Sequence, residues 1–152
     1  MSEIDKKILK TLVTSRSRVS SLTLSRTLEI PLTTVQRRRK RLESEYVETM
    51  HSMRLDIFGW RLGQLLISTK SGMTKSIGRQ LLAFAQVISV TRSIGEHTID
   101  LCVEIVFKDN KELVALIDQI KAMDEVKDVI WTEKIETLGR NDDALVPIID
   151  KL

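Results

Sequence analysis

Ser20–Glu43 reads SSLTLSRTLEIPLTTVQRRRKRLE, and two helices joined by a short break account for this pattern. Ser20 or Ser21 can cap the first helix, since a serine hydroxyl satisfies a free backbone N–H at a helix start. Pro31 ends that helix, because proline fits poorly in a helix interior but well at the first turn of a new one. The second helix of the pair is therefore expected over about 32–45.

Residues 4–13, upstream of this pair, predict another short amphipathic helix. Its apolar side chains recur with a period of about 3.6 residues, at Ile4, Ile8, Leu9 and Leu12. Three short helices in this order, with a tight break before the third, form a helix-turn-helix unit. Residues 46–53 then alternate in part and favour a small ribbon or wing, and residues 54–62, with Gly59 free to turn, form a connector.

The second half of the chain has the pattern of a sheet covered by helices. Strands are predicted at 63–69, 87–94, 99–107 and 126–137, and helices at 75–85 and 111–123. The order strand–helix–strand–strand–helix–strand is that of a ferredoxin-like domain. The sequence therefore predicts an α+β chain with a winged helix-turn-helix domain at 1–53, a connector at 54–62, a ferredoxin-like βαββαβ domain at 63–138 and a short tail helix at 139–152.

Charge divides the 152-residue chain in a similar way. Residues 1–60 carry 12 basic and 7 acidic side chains, whereas residues 61–152 carry 12 basic and 14 acidic ones. A basic half joined to a mildly acidic half is typical of a nucleic-acid-binding unit attached to another domain. No run approaches the ~18 apolar residues of a membrane helix, and the charged N-terminus lacks a signal peptide. Cys102 is the only cysteine, so a reducing cytoplasm is expected.

Five consecutive cations at 37–41 indicate the function of the third helix. At about 100° per residue they cover its whole circumference, so they are not simply one solvated face. The second helix of a helix-turn-helix inserts its N-terminal residues into the major groove, while cations further along contact phosphates. We expect double-stranded DNA as the partner. Base contacts are assigned to Thr33, Thr34, Gln36 and Arg37. Phosphate contacts are assigned to Arg26, Arg38, Lys40 and Arg41 and to the helix start at Ser20, with Arg16 and Arg18 extending the basic surface.

Other kinds of site find little support in the sequence. His51 and His97 are far apart and have no second ligand at metal spacing, so no metal site or cofactor is predicted. No phosphate loop, nucleophile elbow or zinc-protease motif is present, so nothing indicates an enzyme. Trp131, on the last strand, could equally belong to the core or to a subunit interface.

Three segments carry a resemblance to a known family. IDKKIL at 4–9, the Arg18-x-Ser20 helix start and TVQRRRKRLE at 34–43 resemble the DNA-binding half of the Lrp/AsnC (feast/famine) regulators of prokaryotes, and the second half resembles their RAM (ACT-like) domain. The resemblance implies a homodimer that assembles into tetramers, octamers or higher forms. It also implies an amino-acid or similar effector bound between dimers, near Gly95, Asp100 and Thr132. Arg39 stands where the family pattern has an apolar residue, so it must snorkel, contact phosphate or pack differently.

Two other functions fit the same residues. Five cations in a row suit an architectural protein that coats DNA without sequence preference and without an effector, because phosphate neutralisation supplies affinity but no sequence information. The second alternative function is that of a small-molecule sensor that acts through protein partners. The function of a sequence-specific transcriptional regulator is preferred to both, because the cations lie on the third helix of a helix-turn-helix.

Overall fold

The computed structural model describes residues 1–15, 19–48, 53–94 and 98–152. These residues form two compact units, one made of Met1–Ser52 with Leu138–Leu152 and the other of Met53–Thr137. The chain therefore leaves the first unit once and returns to it at its C-terminal end.

The first unit contains the three helices expected from the sequence. They are α1 (Glu3–Thr14), α2 (Ser21–Leu28) and α3 (Leu32–Tyr46). Ser2 caps α1 by accepting a hydrogen bond from the amide of Asp5, and Ser20 caps α2 in the same way. The core where the helices meet is formed by the fully buried side chains of Ile8, Leu24, Val35 and Leu42. Leu32, the first residue of α3, is partly exposed.

Two short elements complete this unit. A 3₁₀ turn at Asp142–Leu145 leads into α4 (Val146–Asp150), and both pack on α1. The predicted tail helix is thus shorter than 139–152. Tyr46, where the predicted ribbon at 46–53 begins, is the last residue of α3, and residues 49–52 lie outside the described residues.

The second unit is a four-stranded sheet with two helices on one face. A 3₁₀ turn at Leu55–Phe58 precedes it, where the expected connector lies. Its elements are β1 (Arg61–Thr69), α5 (Thr74–Leu81), β2 (Val87–Arg92), β3 (Leu101–Phe107), α6 (Asn110–Lys121) and β4 (Val126–Glu133). The strand order is β2-β3-β1-β4 and every neighbouring pair is antiparallel. The predicted βαββαβ order is confirmed.

Alternation along the strands places the core of this unit on one side of the sheet. On β3, the buried residues alternate with half-exposed ones and are Leu101, Val103, Ile105 and Phe107. They pack with Leu65 and Ile67 of β1 against Ile77 and Leu81 of α5 and the apolar side of α6. Gly63 is needed where β1 passes Phe107, because an added Cβ would lie 2.9 Å from the Phe107 ring.

Candidate nucleic-acid interface

The turn between α2 and α3 is built from three residues, Glu29, Ile30 and Pro31. Glu29 has a left-handed backbone, with φ of 55°, and ends α2. The Ser25 hydroxyl donates to the Ile30 carbonyl at 2.6 Å, and the Ile30 amide donates to the Ser25 carbonyl at 3.1 Å. Pro31 is the N-cap of α3, and its carbonyl accepts from the Val35 amide at 3.1 Å. The break therefore ends α2 and begins α3 after a short turn, as in a helix-turn-helix.

One side of α3 is exposed and polar. Val35 and Leu42 are fully buried in the core of the unit. The residues on the opposite side are exposed and are Thr33, Gln36, Arg37 and Lys40. These four positions span about 100° of the helix surface, at about 100° per residue. They form a continuous stripe, which we call the exposed face of α3.

The five cations at 37–41 are divided between this face and the interior of the unit. Among the described residues, Arg37 and Lys40 form no ion pair, whereas Arg38, Arg39 and Arg41 each have a carboxylate partner. The charge run is therefore not uniform: some of its cations are open to solvent and the others link α3 to the rest of the unit.

Arg39 lies near the buried side of α3, and only 12% of its side chain is exposed. Its Nε donates to Glu43 Oε1 at 2.7 Å, and its Nη1 donates to the carbonyl of Val19. The aliphatic part of Arg39 thus occupies the place expected for an apolar residue, while protein acceptors hold its charged end.

Asp5 of α1 pairs with the other two arginines. Its Oδ1 accepts from Arg38 Nη1 at 2.8 Å, and its Oδ2 accepts from Arg41 Nη2 at 2.7 Å. The side chain of Asp5 is only 5% exposed, that of Arg38 is 25% exposed, and that of Arg41 is 51% exposed. Burial alone would raise the pKa of Asp5, but hydrogen bonds from Arg38 and Ser2 and the two arginine charges lower that pKa to about 2.

This pairing was not foreseen from the sequence. Asp5 is 33 residues from Arg38 and 36 from Arg41, and the helical period of residues 4–13 shows only that Asp5 is close to the apolar face of α1. The sequence predicts a phosphate contact for Arg38, but in the structure its guanidinium is engaged by Asp5 and Ser2. Arg41 keeps half of its side chain exposed.

The remaining candidate DNA-binding residues lie on or beside the same two helices. Ser20 is exposed, and its hydroxyl accepts from the Thr23 amide at 3.0 Å as the cap of α2. A surface groove connects the start of α2 to α3 and is lined by Val19, Ser20, Ser21, Gln36, Arg39, Lys40 and Glu43. Arg26 is exposed in the last turn of α2, and Thr34 is half-buried. Arg16 and Arg18 lie outside the described residues.

The three residues expected at an effector site are not brought together by the described part of the second unit. Gly95 lies outside it. Asp100 has a structural partner, because its Oδ2 accepts from the Thr69 amide at 2.7 Å and from the Thr69 hydroxyl at 2.9 Å. Thr132 pairs instead with Gln64, five residues before Thr69 on β1 and therefore roughly 16 Å along the strand.

The face of the sheet opposite to α5 and α6, which we call the open face, carries both apolar and polar side chains. Its half-exposed or exposed apolar residues are Leu62, Leu66, Val106 and Ile130. A shallow depression on this face is lined by Gln64, Glu104, Thr132 and neighbouring residues. Trp131 is on the other face, since it pairs directly with the buried Leu65. It lies on the edge strand β4 and is partly exposed, so it belongs neither to the open face nor fully to the core.

Residues 1–15, 19–48, 53–94 and 98–152 contain no group of three His, Cys, Asp or Glu side chains placed to hold a metal ion. Within the same ranges no helix has the length and apolar character needed to cross a membrane.

Solved structures share this architecture, although no protein-family model and no curated protein sequence matches the chain. E. coli AsnC is 16% identical, with a TM-score of 0.72 over 93% of this chain and 96% of that chain. B. subtilis LrpC is 14% identical, with a TM-score of 0.70 over 93% of this chain and 99% of that chain. A Neisseria meningitidis transcriptional regulator in complex with L-Met is 16% identical, with a TM-score of 0.72 over 92% of this chain and 93% of that chain.

These similarities concern the fold. The chain has the architecture of Lrp/AsnC transcriptional regulators, an N-terminal helix-turn-helix followed by a βαββαβ domain. The predicted fold class is confirmed, and the family resemblance noted in the sequence is confirmed at the level of the fold.

Proposed function

We propose that the chain is a non-enzymatic, sequence-specific DNA-binding transcriptional regulator that acts as a homo-oligomer. The observation that carries this proposal is the exposed face of α3, where Thr33, Gln36, Arg37 and Lys40 form one polar stripe on the second helix of a helix-turn-helix. A helix in this position lies in the major groove and presents its N-terminal residues to the base edges.

The roles of the residues follow from their position along α3. Thr33, Gln36 and Arg37 lie in the first two turns and approach bases, where the amide of Gln36 suits adenine and the fork of Arg37 suits guanine. Lys40, one turn further, contacts phosphate. Arg26 and the backbone N–H groups at the start of α2 beside Ser20 provide further phosphate contacts. Thr34 is half-buried, so its contribution to base contacts is smaller.

Dimerisation follows from the reach of a single helix-turn-helix, which reads only about half of a typical operator. The open face of the sheet provides a surface for it. Leu62, Leu66, Val106 and Ile130 are apolar and at least partly exposed, and pairing of two such faces by a two-fold axis would cover them. We place the dimer contact there, with larger assemblies built from the dimer.

An amino acid or similar small molecule is proposed as the effector. The structurally similar N. meningitidis regulator was solved as a complex with L-Met. In this chain Asp100 and Thr132 lie apart, so an effector contacts both only if a second copy contributes to the site. A thermal-shift screen against the amino acids, run together with a mass measurement of the assembly, tests the effector and the oligomer at once.

The alternative function is that of an architectural protein that coats DNA. The run of five cations favours it, but three of the five have carboxylate partners within the unit, which reduces the charge available to phosphates. Footprinting at physiological salt distinguishes the two functions: a regulator protects discrete sites, whereas a coating protein protects DNA throughout.

The proposal is tested by two substitutions on the exposed face of α3. Lys40→Ala should weaken binding to selected and random duplexes equally and reduce the slope of log affinity against log salt by about 0.9, the value for one phosphate contact. Arg37→Ala should lose about 1–3 kcal/mol of preference for the selected duplex.

The duplex is obtained by selection from a random library, and binding is measured by fluorescence anisotropy over a range of KCl concentrations. Lys75→Ala, which removes an exposed cation from α5 in the sheet unit, is the matched control and should bind as the wild type does. If Arg37→Ala and Lys40→Ala also bind like the wild type, α3 does not read DNA.

A further inference from the structure

Asp5 is the one acidic side chain of α1 that is buried, and both of its carboxylate oxygens accept hydrogen bonds. Arg38 Nη1 lies 2.8 Å from Oδ1, while Arg41 Nη2 at 2.7 Å and the Ser2 hydroxyl at 2.8 Å both donate to Oδ2. The Ser2 oxygen in turn accepts from Arg38 Nη1 at 2.8 Å and from the Asp5 amide at 3.2 Å. The four residues therefore form a closed network between the start of α1 and the middle of α3.

This network lies about one helical turn from the apolar contact between α1 and α3. Ile8, one turn after Asp5, is fully buried against Val35 and Leu42 of α3. Apolar packing is not directional, so it permits small rotations and shifts of one helix along the other. A carboxylate held by two arginines three residues apart is directional, and it restricts both movements.

The Arg38 guanidinium is largely enclosed by the protein. Its Nε is buried, and within the described part of the chain it has no hydrogen-bond partner. Its Nη1 is directed to Asp5 and Ser2, and three-quarters of the Arg38 side chain is covered. Asp5 thus holds the charged end of Arg38 within the unit.

We propose that Asp5 is a positioning residue for DNA binding, which keeps Arg38 from the phosphates and fixes the rotation of α3 so that Thr33, Gln36, Arg37 and Lys40 face the groove. The proposal rests on the proposed DNA-binding function and assigns Arg38 to the scaffold of the interface. In this arrangement specificity depends on a carboxylate that makes no contact with DNA.

The test uses Asp5→Asn in the full-length chain. Asparagine keeps the shape of the side chain and one acceptor oxygen but loses the charge, so the Arg38 guanidinium is released to solvent. We expect the slope of log affinity against log salt on a random duplex to steepen by about 0.9, as one more phosphate is contacted. The preference for the selected duplex should fall about tenfold, because the base-contacting side chains are no longer held in place.

Glu3→Gln is the matched control, since it makes the same charge change two residues away on α1 at an exposed side chain. Its salt slope and its preference should equal those of the wild type. If Asp5→Asn behaves like Glu3→Gln, the proposal is overturned. An equal loss of affinity for both duplexes at an unchanged slope would show that the substitution acts only through stability, and this too would overturn the proposal.

Arg38→Met is a second, independent variant, which is informative even if Asp5→Asn does not fold. It removes the cation and leaves a side chain of similar length, while Asp5 retains Arg41. We expect its salt slope to match the wild type, because Arg38 contacts no phosphate. A slope flatter by about one unit would show that Arg38 is a phosphate ligand and would overturn the proposal. If the wild-type chain shows no salt-dependent binding to any duplex, the proposed function itself fails.

Discussion

Asp5 remains ionised inside the first unit because two arginines and a serine surround its carboxylate. Its pKa is lowered from 3.8 to about 2. Only a difference in proton binding between the folded and unfolded chains makes stability depend on pH, and Asp5 provides such a difference. The charged form stabilises the fold above the unfolded pKa, and this contribution is lost as pH falls through the folded pKa.

The contribution of Asp5 is about 2 kcal/mol at neutral pH, from the size of the pKa change. We expect Asp5→Asn to be less stable than the wild type by about this amount at pH 6, and the difference to shrink towards zero at pH 2. Urea unfolding followed by circular dichroism, at several pH values for both chains, measures it. A difference that is constant from pH 6 to pH 2 would mean that the carboxylate charge is not what stabilises the unit.

The α2–α3 turn forms although the backbone conformation at one of its residues, Glu29, is unfavourable for a side chain with a Cβ. Glu29 ends α2 with φ of 55° and ψ of 43°, a conformation that suits glycine and is unfavourable for residues with a Cβ. The turn persists because Pro31 favours a new helix start and the Ser25–Ile30 hydrogen bonds close the loop.

Glu29→Gly should therefore stabilise the chain by about 1 kcal/mol, since it removes the strain of the left-handed backbone. Thermal unfolding of the variant and the wild type measures the change. Glu29→Ala is the control: it removes the same charge but keeps the Cβ, so its stability should stay close to that of the wild type. Equal stabilisation by both substitutions would point to charge, and not to backbone conformation, as the cause.

The local sequence pattern predicts which side of a strand is buried better than it predicts where the strand ends. The buried residues of β3 alternate with half-exposed ones, and such a pattern is readable in the sequence because alternation is a local property of a strand. β4 was predicted to reach residue 137 but ends at Glu133. Its partner β1 begins at Arg61, and the last bond of the ladder is from the Lys134 amide to the Leu62 carbonyl. The length of an edge strand depends on its neighbour, which the strand's own sequence does not contain.

At the scale of the whole molecule, the C-terminal tail belongs to the same unit as the N-terminal helices. Ile149 is buried there, and Lys10 forms an ion pair with Asp150. The Lys6 ammonium donates to the Asp150 carbonyl at 3.1 Å, and the N-terminal amine donates to the Leu152 carbonyl at 3.0 Å. The tail thus covers α1, the helix that holds α3 through Asp5.

Ile149→Ala should destabilise the first unit by about 2–5 kcal/mol, the range for truncating a buried isoleucine. Ile148→Ala removes the same atoms from an exposed neighbour and should have little effect. Hydrogen exchange measures the result, because the amides of α1 should lose protection in Ile149→Ala while those of the sheet unit retain theirs. Unchanged exchange in α1 would show that the tail does not stabilise this unit.

The sequence by itself determined the order of the helices and strands, the apolar faces and the concentration of cations on α3. Each of these depends on residues within one or two turns of each other, so periodicity reports them. Only the tertiary structure decided which of the five cations remain open to solvent. Asp5, more than 30 residues away in the sequence, engages the Arg38 guanidinium and pairs with Arg41, whose side chain stays half exposed, because a buried carboxylate must be paired and helix packing alone places these partners within reach.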